Sequence, residues 1–132
     1  MHRVILWLRN DLRLHDNPVL NWAATQPTCV YKEFLPVYCF DPRFYDKVEC
    51  KWKSRKCGPV RTRFNIETVE GLRKNLKDIG SELLVTHEKP EDFIASLVAD
   101  WGDIQNTIVF QPETCSEELA VEKAVREKVL LK

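Results

Sequence analysis

Residues 4–8, VILWL, form an unbroken apolar run that stops at a dense alternation of charge: Arg9, Asp11, Arg13 and Asp16. Asn17-Pro18 comes next, an N-cap side chain followed by a proline at the first helical position, where a missing N–H costs nothing. That order predicts a buried parallel strand, a charged turn and a helix. Five of the eight residues from Arg9 to Asp16 are charged or titratable, including His15, which is more than a connector needs. The charges either satisfy one another in a salt-bridged turn or face a ligand.

The alternation continues along the chain. The pattern predicts strands at 3–8, 34–40, 82–86 and 107–110, with helices at 18–25, 60–79, 90–101 and from about Thr114 onward. In the long helix Val69, Leu72, Leu76 and Ile79 recur at three- and four-residue steps after Phe64, with Gly80 as its C-cap. The last helix carries Val121, Val125 and Val129 at i, i+4 and i+8. Strands alternating with helices imply right-handed crossovers and an α/β fold. The expectation is a Rossmann-like doubly wound parallel sheet of four strands, in the order 3-2-1-4, covered by helices on both faces.

At 132 residues the chain fits one domain. Lys plus Arg equals Asp plus Glu at 20 each, so no global charge draws it to nucleic acid or membrane. No apolar run has membrane-spanning length, and the charges from Arg9 onward exclude a signal peptide. Five cysteines are scattered, with no C-x-x-C and no histidine at zinc-ligand spacing. The expectation is no metal, and an intracellular reducing compartment: cytoplasm, nucleus or organelle.

In a doubly wound sheet the ligand crevice lies beyond the carboxyl ends of the strands where the winding reverses, here between strands one and four. Its rim is Arg9-Asn10-Asp11 on one side and residues 111–117 on the other. Neither G-x-G-x-x-G nor G-x-x-x-x-G-K-[ST] occurs, which argues against a dinucleotide or triphosphate cradle of the usual kind. The carboxylates and amides of the rim suit a heterocycle rich in N–H donors, such as a pterin. No nucleophile–base pair is visible, with His15 in the charged turn and His87 after strand three, so a hydrolase or nucleotidyl transferase is disfavoured and no catalytic residue is assigned. Residues 44–59 interleave Lys47, Lys51, Lys53, Arg55 and Lys56 with Tyr45 and Trp52. This is either a nucleic-acid surface or a solvated loop anchored by Trp52; Asp46, Glu49 and the neutral balance favour the loop.

The opening pattern of Trp7, Arg9, Asp11, Leu12, Arg13, Asp16 and Asn17 resembles the start of the cryptochrome/photolyase family. LPVYCFDPR at 35–43, GPVRTRFNIETVEGLRKNLKDIGS at 58–81 and ETCSEE at 113–118 resemble its DASH-type branch, in that order and spacing. The resemblance implies the N-terminal α/β antenna domain of a parent that repairs cyclobutane pyrimidine dimers with blue light and FAD, preferring single-stranded DNA. It also implies a methenyltetrahydrofolate antenna held at the start of the last helix by Glu117 or Glu113, although the matching step can also fall on Ser116. Asn10 and Asp11 complete that rim.

Family members continue into a fifth strand and a helical FAD domain, and neither is in this chain. The expected partners are therefore that helical domain, DNA through the parent only, no membrane, and a second copy through the open edge of strand four. The chain alone is expected not to be catalytic. A non-catalytic interaction module built on the same domain is the alternative. Trp7, Trp22, Trp52 and Trp101 read as packing residues, and Glu88, standing where the family has glycine, implies an altered turn before Lys89.

Overall fold

The computed structural model describes residues 2–27, 30–31, 33–46 and 51–130. Cys29, Lys47, Glu49 and Cys50 lie outside them. The elements run β1 (His2–Leu8), α1 (Pro18–Thr25), β2 (Glu33–Cys39), α2 (Pro42–Tyr45), α3 (Pro59–Asp78), β3 (Leu84–Thr86), α4 (Pro90–Asp100), β4 (Gln105–Phe110) and α5 (Ser116–Leu130). The strands form one sheet in the order β3-β2-β1-β4, and every pairing is parallel. This is the predicted doubly wound α/β topology.

β1 is central, and its residues 4–8 are all buried because helices cover both faces. The two-residue period divides them. Val4, Leu6 and Leu8 pack with Val19 of α1 and with Val69, Leu72 and Leu76 of α3. Ile5 and Trp7 pack on the other face with Val37, Ile94 of α4 and Val125 of α5. Burying each such aliphatic side chain stabilises the fold by about 1.5–3 kcal/mol. The α3 stripe is shorter than its sequence suggests: Phe64 and Ile79 are exposed, because the covered part of the helix is its middle.

Local signals set the ends. Asn17 caps α1, its side chain accepting from the Val19 and Leu20 amides. Ser81 N–H bonds to Leu76 O and Gly80 N–H to Lys77 O, closing α3 in a Schellman motif with Gly80 at φ 82°. Some boundaries differ from the sequence reading. Asp41-Pro42 starts the one-turn helix α2, with the Asp41 side chain as cap, rather than only ending a strand. β3 begins at Leu84 because Glu82 turns out to Arg73 and Lys77. β2 tolerates Pro36 because β3 pairs with it only from Val37 onward. Among the described residues β4 pairs with β1 alone, which leaves its other edge open.

Candidate functional site

The winding reverses between β1 and β4, so the crevice opens above Leu8 and Phe110. Arg9 continues the alternation of Ile5 and Trp7 and lies on the α5 side. Its guanidinium sits 4.6 Å above the Trp7 ring, and Trp7 meets Phe110 with ring centroids 5.1 Å apart. Arg9 pairs with Glu122 and also donates to Glu118 O at 3.1 Å. The same Glu122 oxygen accepts the Glu113 N–H at 2.9 Å. One buried carboxylate thus ties the end of β1, the loop after β4 and the second turn of α5 together. Sequence reading missed Glu122; the signal is a carboxylate three residues before Val125, on the flank of the buried stripe.

The rim residues fall around this pair. Asn10 donates to Glu118 Oε1 at 2.8 Å. Asp11 takes Arg13 in a two-bond clamp, both contacts at 2.9 Å, and the Arg13 guanidinium holds the Asp11 carboxyl below the usual range. Asn17 donates to Asp11 O and Arg13 O, so Asp11, Arg13 and Asn17 hold one another within the turn, whereas Arg9 pairs outside it with Glu122. Glu117 lies in the first turn of α5, which begins at Ser116. Its side chain is 70% exposed and pairs with Lys56 at 2.6 Å. Glu113 is half-buried, and its carboxylate has no partner among the described residues.

A second network lies beyond the ends of β2 and β3. Arg43 makes two 2.9 Å bonds to Glu91 and further bonds to Asp41, joining α2 to the start of α4. The α4 N-terminus favours the Glu91 charge. Glu88 accepts from Thr86 Oγ1 at 2.9 Å, and its turn reaches α4 without a left-handed residue. Trp7 is buried, and Trp22 and Trp101 pack against the core, but Trp52 is 80% exposed. The anchor expected of Trp52 is therefore not made: its turn projects from the domain. Among the described residues no cluster of three or more His, Cys, Asp or Glu is placed to hold a metal ion. No helix among them is long and apolar enough to cross a membrane.

A parallel sheet wound both ways from a central β1, with a polar rim above the reversal, defines a Rossmann-like α/β domain. The match to the DNA photolyase family model covers residues 4–131, and the chain belongs to that family, corresponding to its N-terminal α/β domain. It is 44% identical over 124 residues to Cryptochrome DASH of Danio rerio, covering 94% of this chain and 23% of the relative. Cryptochrome DASH of Arabidopsis thaliana, chloroplastic/mitochondrial, is 41% identical over 123 residues, covering 93% and 20%. The chain thus spans about a quarter of these relatives' length or less. The crystal structure of the Synechocystis sp. PCC6803 cryptochrome superposes with a TM-score of 0.82 at 31% identity, covering 99% of this chain and 26% of that one. A photolyase from Sulfolobus tokodaii, solved with two FAD molecules, shares the fold with a TM-score of 0.75 at 21% identity, covering 98% and 27%.

Proposed function

We propose that this chain is the antenna domain of a DASH-type cryptochrome or photolyase whose complete form uses blue light and FAD to split cyclobutane pyrimidine dimers, preferentially in single strands. The supporting observation is the rim at the β1–β4 reversal, where the half-buried Glu113 carboxylate has no partner among the described residues and Asn10 is braced by Glu118. A carboxylate there fits the amino and ring N–H donors of a methenyltetrahydrofolate pterin. The antenna supplies light absorption and passes excitation to the flavin. Glu113 is favoured over Glu117, whose charge is already engaged by Lys56. Asp11, clamped by Arg13, shapes the turn rather than offering a free acceptor.

The flavin and the lesion belong to the helical domain of the complete protein, which is also this chain's partner, so the chain alone does not catalyse repair. Joined to the helical domain of a DASH relative, it should retain folate absorbance. Glu113→Gln should lower that retention about tenfold, the loss of one charge-assisted hydrogen bond, with Glu117→Gln having the smaller effect. Unchanged retention in the Glu113 variant defeats this assignment.

The open edge of β4 favours a second reading, an interaction module that associates through that edge. Light scattering tests it: the 132-residue chain should self-associate with rising concentration, and a chain that stays monomeric throughout defeats it.

A further inference from the structure

Residues 51–63, KWKSRKCGPVRTR, hold six Lys or Arg and no Asp or Glu, in a chain of zero net charge. All of them are exposed except Cys57 and Thr62. Two of the cations are engaged, Lys56 with Glu117 and Arg63 with Glu67. Lys51, Lys53, Arg55 and Arg61 have no carboxylate within ion-pair distance among the described residues. Lys51 instead lies 5.3 Å from the Trp52 ring, and Arg61 lies 5.1 Å from that of Phe44. Lys53, at φ 45°, follows the turn that leaves the indole 80% exposed. Beside the strip runs a groove of about 540 Å³ whose lining includes Tyr45, Arg55, Pro59, Arg63 and Ile66. α3 starts within the strip with no acidic residue in its first turn, which adds to the positive field.

Unpaired cations repel one another, and an exposed indole leaves a large apolar face in water. A ligand relieves both only if it carries spaced anions and a free π-face. An acidic peptide answers the cations and leaves the indole bare. A duplex keeps its bases stacked inside. A single strand presents phosphates and unstacked bases together. Asp46 before the strip, and Glu67 and Glu70 after it, restrict the contact to a few nucleotides. We propose that residues 51–63 form a sequence-independent contact for single-stranded nucleic acid, with phosphates on Lys51, Lys53, Arg55 and Arg61 and a base stacked on Trp52. This proposal does not rest on the antenna reading.

The test is fluorescence anisotropy of labelled oligo-thymidylate and oligo-uridylate titrated with the 132-residue chain at several salt concentrations. Four phosphate contacts predict a slope of log affinity against log salt of about −3. Trp52→Ala should weaken binding roughly 5- to 150-fold, the loss of one stacked base, and Trp52→Phe should keep most of it. Lys53→Glu with Arg55→Glu should weaken binding and reduce the slope by about half. These side chains are exposed, so the melting temperature should not move. Whichever oligomer binds tighter identifies DNA or RNA as the source of the strand. Absence of binding, an unchanged Trp52→Ala variant, or equal competition by polyglutamate overturns the proposal, the last by assigning the strip to an acidic protein partner.

Discussion

Arg9 and Glu122 form an ion pair in which each side chain keeps only 9% of its exposure, closing the floor of the crevice between β1 and α5. Its worth lies in organisation more than in net Coulomb energy, because desolvation offsets much of the attraction. Glu122 also receives the Glu113 amide, so the pair sets where the loop after β4 sits. Removing either partner leaves a buried charge alone. Glu122→Ala or Arg9→Ala should each cost about 3–5 kcal/mol. The double change Arg9→Met, Glu122→Leu should recover most of that stability while loosening the rim. Urea unfolding of the three variants measures both effects. Additive losses in a double-alanine cycle would show that the pair is not coupled.

Asn17 is the second fixed point of the rim. Its amide caps α1 through Val19 and Leu20 and donates back to Asp11 O and Arg13 O, with the side chain fully buried. Asn17→Ala should cost about 2 kcal/mol, a lost cap plus unpaired backbone carbonyls. Asn17→Asp keeps the acceptor and loses the donors, so it should fall between the two. The shift in denaturation midpoint at constant slope checks this.

The fold was legible because its signals are local and repeated. Asn17-Pro18 opens α1 where expected, Gly80 closes α3, and the unbroken run of β1 forecasts burial on both faces. The site was legible only in outline. Position relative to the strand ends follows from topology, so Asn10, Asp11, Glu113 and Glu117 do flank the β1–β4 reversal. For two of them, which is free depends on partners far away in sequence: Lys56 for Glu117 and Glu118 for Asn10. No spacing rule encodes those contacts. The projection of Trp52 was hidden for the same reason, since an indole among lysines reads equally as anchor or platform.

Asp11 gives the rim an acid limit. Its carboxyl is held below the usual range chiefly by hydrogen bonds from Arg13, so it stabilises the folded state while ionised. That stability is present above its unfolded value of about 3.8 and is lost as pH falls through the lowered folded value. The stability difference between wild type and Asp11→Asn should therefore be constant near neutrality and close below about pH 4. Thermal melts from pH 7 to pH 2.5 would show it; a gap that persists at the acid end removes the role given to the Arg13 clamp.

Cys39 sets the alkaline limit. Burial, followed by the charges of Asp41, Glu88 and Glu91, raises its thiol from 9.0 to about 12. Burial raises the neighbouring Tyr38 phenol as well. For an acid whose folded value is raised, the contribution is complete below the unfolded value and is lost as pH climbs toward the folded one. Stability should hold to about pH 9 and then fall steadily toward pH 12. Cys39→Val, which keeps the packing and removes the proton, should move the alkaline midpoint upward. At neutral pH the same burial predicts a kinetic difference between thiols. Cys115 is exposed and should be alkylated within minutes, whereas Cys39 should react only at the rate at which the domain opens. Mass spectrometry of timed iodoacetamide reactions separates the two sites. Equal labelling rates at Cys39 and Cys115 would mean that β2 opens far more readily than its central place in the sheet allows.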